Sequence, residues 1–572
     1  MPAERRPAFP PIPRVSGPLA VKVIYPSAKA LLSVRDSNFL LGSVGNGDAT
    51  LTINGNPVRV EPNGAFVAWL PVPPRETPRY DLVAIVGTDT QRLAHPIRYT
   101  ASSGPLPLEG ALLIDPKTVL PASRLAFRDD EAIRVAVVAP ANASVVWRSP
   151  VGVRLLAANG DSWSVSLPAR LLRAETELVV TRGADSVRLP LARVIDPDSL
   201  PIVSLGDSVM PVVPDSDRVI HGRLSPGETY KWFLLPRTRL RATGQVPGYT
   251  RVRLDQALEV WIASSDAVPL PDDPMTLTRA VATSGRVRAS PFGADVVIPL
   301  SRPPAYQVEE RGSDIILTLY NTEGIGDRTR YPGTEQFVRT VEWTQEASDR
   351  VVYTIRLARP AFGYHVIWDR NALVLRVRRP PAIANAARPL NGLRIVVDPG
   401  HPPAGATGPT GLYEGDAVLE VGRILHDLLV ERGANVLMTR TTRDTVPLGA
   451  RPIMARRANA DALVSIHLNA LPDGANPLIA QGTETYFFHP HAEALARAIH
   501  VGMLRTMGLP DRGTFTRDLA LARQPWMPSI LAEGAYIILP DAEAALRTRE
   551  FQGQYALGLL EGLETYFRSL AP

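Results

Sequence analysis

The chain has 572 residues, 45% hydrophobic and 21% charged, a globular composition that excludes wholesale disorder and implies several domains. It has no cysteine, which excludes a disulfide scaffold, thiol catalysis and any zinc site built on cysteine. The formal net charge of +5 is too small to argue for nucleic acid, and residues 393–572 hold 16 Arg against 19 Asp and Glu, so the front is mildly basic and the back mildly acidic. No run of about 18 apolar residues is present, so no spanning helix is expected. Residues 1–17 are rich in Pro and Arg and lack an apolar stretch; they read as a disordered tail with no legible signal peptide.

Residues 18 to about 378 read as β structure, in short alternating runs punctuated by Gly, Pro and Asn. Between 18 and 100, Asn54-Gly55 and Asn63-Gly64 separate such runs, and Asn-Gly is a strong hairpin signal because both residues tolerate positive φ. This stretch resembles an immunoglobulin-type sandwich. Residues 101–110, with Ser-Ser-Gly-Pro, are the first expected linker. Residues 111–200 repeat the style as a second β module, for example at Ile133 to Val138 and Trp163 to Leu167. Residues 201–267 carry close-spaced strands and resemble a bacterial SH3-like barrel. Its aromatics Tyr230, Trp232, Phe233 and Trp261 fit a buried core or a sugar- or peptide-binding face, with the core favoured. Residues 300–378 carry longer strands, such as Ile315 to Tyr320 and Val351 to Leu357. They resemble the AMIN module that precedes many cell-wall amidases, which implies a hold on peptidoglycan.

Residues 379–392 read as an extended linker, and from 393 to 572 strand-like and helix-like segments alternate, the pattern of an α/β domain with a mainly parallel sheet. A strand is expected from Leu393 to Asp398, a helix from Asp416 to Glu431, a strand over 435–439 and a helix over 448–459. Further strands are expected at 462–467, 483–488 and 529–532, and further helices at 492–507 and 543–567. His401, His467 and Glu533 each follow an apolar strand run, and Glu414 lies in the loop after the first strand. Ligands of open α/β sheets bind at those carboxyl ends. Two histidines and a carboxylate complete a catalytic zinc site that leaves one position for water, and a further glutamate can take that water's proton. Glu420, inside the first helix, is the competing carboxylate and reads as a solvated face residue.

The segments Val397-Asp398-Pro399-Gly400-His401, Gly411 to Asp416, Ser465 to Ala470 and Pro528 to Glu533 occur in an order and at spacings that resemble the zinc-dependent N-acetylmuramoyl-L-alanine amidases of amidase_3 type. The resemblance implies a phosphorylase/hydrolase-like α/β fold, one zinc ion on His401, Glu414 and His467, and Glu533 as the catalytic glutamate. It also implies supporting or substrate-binding roles for Arg451 and Asn469, with Asn469 behind the second histidine. Pro402, Ala535, Tyr536 and Leu539 depart from the family's usual residues and touch groove shape rather than chemistry. Only Leu471 to Gln481 separates the second histidine motif from the next strand, too short for the blocking helix that some members insert there.

The implied reaction is hydrolysis of the amide between N-acetylmuramic acid and L-alanine of peptidoglycan. The front modules would target the wall or a cell-division activator or scaffold. The implied compartment is the periplasm or the cell exterior. Two alternatives remain at this point: a zinc hydrolase of another stem-peptide bond, and a non-catalytic wall-binding scaffold. His426, His489, His491 and His500 read as surface or groove-rim residues, with substrate contact by His489-Pro490-His491 the lesser alternative.

Overall fold

The computed structural model describes residues 9–33, 36–99, 106, 108–206, 219–270, 279–479 and 481–571. Residues 1–8 of the expected tail, and 101–105 and 107 of the first expected linker, lie outside them. The chain is mostly β, and its described α-helices all fall between Glu414 and Ser569. It divides into two compact units: one of Met1–Ala101, Ala361–Tyr364 and Arg378–Pro572, the other of Ser102–Pro360 and His365–Val377. No described helix is long and apolar enough to cross a membrane.

Within the second unit, strands pair across the boundaries read from sequence. The expected module at 111–200 holds a three-stranded and a four-stranded sheet around a core that includes Trp147 and Trp163. Its strands Leu125–Ala126 and Val194–Ile195 instead join the seven-stranded sheet that carries Arg239–Val246. Trp232 and Trp261 are buried, whereas Tyr230 and Phe233 are half-buried, so only part of that aromatic set is core. Strands Gly285–Ser290 and Gly293–Pro299, outside the expected 300–378 module, share a sheet with Ala372–Arg378. Apolar alternation marks strands well, but partners distant in sequence decide which sheet each one enters.

In the first unit, the C-terminal region is built on a six-stranded sheet. Its elements in chain order are β1 (Arg394–Pro399), α1 (Glu414–Glu431), β2 (Asn435–Met438), α2 (Ala450–Arg457), β3 (Ala462–Asn469), β4 (Thr483–Phe487), α3 (Pro490–Met507), β5 (Asp511–Thr516), β6 (Ser529–Tyr536), α4 (Pro540–Leu546) and α5 (Arg549–Ser569). The strand order is β2-β1-β3-β6-β4-β5, with β2, β1, β3 and β6 parallel and β4 antiparallel to β6. The β1 and β3 strands are apolar and buried through most of their length, as strands covered on both faces require. The long terminal helix expected over 543–567 is two helices, because Thr548 leaves helical geometry and its hydroxyl caps α5 at the Phe551 amide. Strand β5 carries the polar sequence Asp-Arg-Gly-Thr-Phe-Thr at the sheet edge, which gives no apolar alternation to read.

The same unit contains an N-terminal β-sandwich, which packs on the C-terminal region by strict alternation. In the paired strands Ser37–Ser43 and Ala65–Pro71, Leu40, Phe66, Ala68 and Leu70 enter the sandwich's own core. Their neighbours Phe39, Leu41, Val67 and Trp69 enter the core of the α/β region instead. Successive side chains point to opposite faces of a strand, so one strand pair serves both cores. Phe9 extends this contact, with its ring 5.4 Å from that of Phe551.

Candidate active site

The carboxyl ends of β1, β3 and β6 lie side by side. His401 follows β1 with φ 58°, in the left-handed region that few non-glycine residues adopt. His467 lies inside β3, and Glu414 is the first residue of α1 rather than part of the preceding loop. The helix starts earlier than the apolar stripe suggests, and the N-terminal end of a helix dipole suits a carboxylate. Glu414 Oε1 is 3.1 Å from His401 Nε2 and 3.2 Å from His467 Nδ1. The potential ligand atoms of all three residues lie within 4.8 Å of one another. Glu414 also accepts the backbone amides of Ala406 and Leu468, each at 2.9 Å. Burial alone would raise its carboxyl, but the two imidazoles prevail and hold it well below the ordinary carboxylate range. A Cβ on Gly400 would sit 2.3 Å from His467 Cε1, so this close approach needs glycine.

Glu533 lies within β6, not at its end, and pairs with His467 in the parallel ladder. Its Oε2 is buried without a hydrogen-bond partner among the described residues, although the residue as a whole keeps some exposure. Burial, followed by the Glu414 and Glu484 carboxylates, pushes its carboxyl well above the ordinary range, partly offset by Arg517. Glu484 of β4 faces Glu533 across the antiparallel pair and is absent from the expected site. It accepts Tyr536 at 2.7 Å, Asn469 at 3.0 Å and Arg512 at 3.1 Å, and also Tyr486. Burial would raise this carboxyl as well, but the donors hold it below the ordinary range, so it stays ionised beside Glu533.

Asn469 therefore donates its side-chain amide to Glu484 rather than to the second histidine. Arg451 is buried. It is 2% exposed, pairs with the fully buried Asp398 at 2.8 Å, and donates to the carbonyls of Pro399 and His401 at 2.8 Å and of Pro402 at 3.1 Å. Sequence reading missed Arg440, which donates to the carbonyls of Pro399, Gly400 and Gly415 and so ties the His401 turn to the start of α1. It also missed Glu543 of α4, which accepts the Thr410 and Leu412 amides at 2.8 Å and fixes the loop before Glu414. Both sets of contacts link residues distant in sequence, which no local pattern records. Arg451→Ala is expected to destabilise the fold by about 3 kcal/mol, because it removes the ion-pair partner of a buried carboxylate. Thermal denaturation checks this, and Arg451→Lys should recover only part of the loss, because a single ammonium cannot serve Asp398 and the His401 and Pro402 carbonyls together.

The remaining histidines divide differently from expectation. His500 is buried between Thr485 Oγ1 at 3.2 Å and Asp511 at 2.8 Å, so it ties β4, β5 and α3 together. His489 is buried against the Arg523 carbonyl at 3.0 Å and stacks on His491. Neither of the two is a rim residue, because the antiparallel β4 carries its outgoing end away from the site edge. Glu420 pairs with Arg423 at 2.6 Å on the solvated face of α1, as expected.

The N-acetylmuramoyl-L-alanine amidase family model (Amidase_3) matches residues 395–565. The uncharacterized protein YqiI of Bacillus subtilis is 32% identical over 208 residues, which span 35% of this chain and 98% of that protein. The probable cell wall amidase LytH of Staphylococcus epidermidis is 31% identical over 188 residues, spanning 32% of this chain and 62% of LytH, less than two thirds of its length. Among solved structures, the N-acetylmuramoyl-L-alanine amidase AmiC2 of Nostoc punctiforme is 33% identical, covering 31% of this chain and 98% of its own, with a TM-score of 0.29. Through residues 395–565, which contain His401, Glu414, His467 and Glu533, the chain belongs to the N-acetylmuramoyl-L-alanine amidase family.

Proposed function

We propose that this protein hydrolyses the amide between N-acetylmuramic acid and L-alanine in peptidoglycan, with His401, Glu414 and His467 holding one zinc ion and Glu533 as the proton-transfer group. The observation that carries this reading is the pairing of a convergent His/Glu/His donor set with a buried, unpartnered carboxylate oxygen on the adjacent strand. The donor chemistry fits zinc: two imidazoles and one carboxylate, with ligand atoms already gathered and the carboxylate held ionised. When bound, zinc supplies Lewis-acid polarisation of the scissile carbonyl and of the attacking water. Glu533 Oε2 accepts the water's proton and returns it to the leaving nitrogen of L-alanine. Glu484 keeps a negative charge beside that oxygen, which raises its basicity. The rival reading, cleavage of another stem-peptide bond, is not favoured, since the family match is to the muramoyl amidases. An intact donor set and base also speak against a purely binding role.

The substrate places the enzyme in the cell envelope or outside the cell, and we assign it to the periplasm or the exterior. The C-terminal sheet with its flanking helices is read as the phosphorylase/hydrolase-like fold. Residues 18–100 are read as Ig-like, 201–267 as SH3-like and 300–378 as AMIN-like, with 111–200 as a further β module. The modules of the second unit would hold wall or a division partner and raise the effective substrate concentration. The test is a defined muramoyl dipeptide incubated with the zinc-loaded full chain. A new free amino group on alanine is expected, and an intact muramoyl amide alongside a cleaved peptide bond would overturn the assignment.

A further inference from the structure

The segment that leaves the catalytic strand β3 is held by the N-terminal sandwich. Its described part, residues 470–479, follows the carboxyl end of β3, on the site's edge of the sheet. Asp473, on this segment, accepts Asn38 Nδ2 at 3.0 Å and the hydroxyl of Tyr25. The Gly474 amide donates back to Asn38 Oδ1 at 3.0 Å. Asn38 is fully buried, so both ends of its side-chain amide are committed to this segment. Tyr25 is fixed in turn by stacking on Phe39, 4.8 Å between ring centroids.

The held segment is chemically close to the site. Leu468 donates its amide to Glu414, Asn469 donates to Glu484, and the Ala470 amide donates to Asn469 Oδ1, all just ahead of Asp473 in sequence. Leu471 continues into the shared core, together with Leu412 of the loop before Glu414. Pro477 is buried, while Leu478 and Ile479 are 61% and 78% exposed and present apolar surface on the held segment. A sandwich serving only as a remote tether would need neither a buried Asn committed to this segment nor two strands shared with the catalytic core.

We propose that the N-terminal sandwich is a built-in positioning element of the hydrolase: Tyr25 and Asn38 grip Asp473 and set the segment leading out of His467, so that engagement of the peptidoglycan strand depends on the sandwich. The inference rests on the hydrolase reading above. Tyr25, Asn38 and Asp473 are positioning residues and take no part in bond breaking.

The experiment uses the zinc-loaded full chain with soluble glycan strands bearing stem peptides. Asp473→Ala is expected to raise KM and lower kcat/KM by about 10-fold, because a misplaced groove wall loses orientation rather than chemistry. Zinc content should stay at the wild-type level. Asp473→Asn keeps an acceptor oxygen for Asn38 and Tyr25, and should recover kcat/KM to within about threefold of wild type. Asn38→Ala is expected to speed hydrogen exchange at the Gly474 amide, which should be protected in the wild type. An Asp473→Ala chain with wild-type KM and kcat, or an unprotected Gly474 amide in the wild type, overturns the proposal. Should Asp473→Ala fail to fold, Tyr25→Phe takes its place with the same KM criterion. A wild-type chain that hydrolyses no muramoyl amide fails the parent reading instead, so the two failures are distinct.

Discussion

Glu533→Gln is expected to lower kcat on a muramoyl peptide by about 10³-fold, or about 4 kcal/mol of barrier, while zinc content stays at the wild-type level. The exchange removes only the ability to accept a proton. The side chain keeps its size, and its Oε2 position makes no hydrogen bond that the amide would break. Strand β6 is held by its ladder with β3 and β4, so the backbone at this position should not move. The carboxyl stands out among the site's acids because burial and its two carboxylate neighbours raise its basicity, whereas Glu414 and Glu484 are both held ionised by donors. Two groups whose environments push them apart in this way divide the labour, with one as ligand and the other as proton carrier. Steady-state kinetics with metal analysis check this; a Glu533→Gln enzyme within tenfold of wild-type kcat would remove Glu533 from the chemistry (tenfold being about 1.4 kcal/mol).

Glu414→Gln is expected to do the opposite: to lose the metal first and activity with it. Glu414 Oε1 lies near both imidazoles and accepts the Leu468 amide, while Oε2 accepts the Ala406 amide. A glutamine turns one of these acceptors into a donor facing a backbone N–H and removes the negative charge from the donor set. Loss of a partner that only orients a ligand costs about 10–100-fold in metal affinity, so loss of the ligand itself should exceed that. Wild-type protein is expected to gain about 2.7 kcal/mol of stability when zinc stands at about 100 times its Kd, and Glu414→Gln almost none. Thermal denaturation against free zinc reads this directly. A chelator should abolish wild-type activity and added zinc restore it. Retention of zinc-dependent stabilisation by Glu414→Gln would shift the metal to another carboxylate.

The parts of this site that local sequence carries are the ones that follow apolar strands. His401, His467 and Glu533 were legible because a buried parallel strand is a continuous apolar run, and a histidine or glutamate at its end is conspicuous. Even so, His467 and Glu533 prove to lie inside their strands, since backbone pairing continues after the apolar run stops. Glu484 was not legible: it sits in the short strand Thr-Glu-Thr-Tyr-Phe, which carries no active-site signal of its own, and its meaning comes from Glu533 on another strand. Arg440 and Glu543 act through backbone carbonyls and amides far away in sequence, which no periodicity records. The sandwich was legible as β, from its Asn-Gly turns, but not as part of the catalytic unit. Phe39, Leu41, Val67 and Trp69 read as one face of an ordinary strand pair, and only tertiary packing reveals that this face meets a second core.

The bond that is cut decides the reaction most directly. Intact sacculi digested with the zinc-loaded full chain, with Glu533→Gln in parallel, should be resolved by mass spectrometry. Free stem peptides beginning with L-alanine and glycan strands bearing bare lactyl groups are expected, both absent with Glu533→Gln. Products cut within the stem or within the glycan, with the muramoyl amide intact, would contradict this.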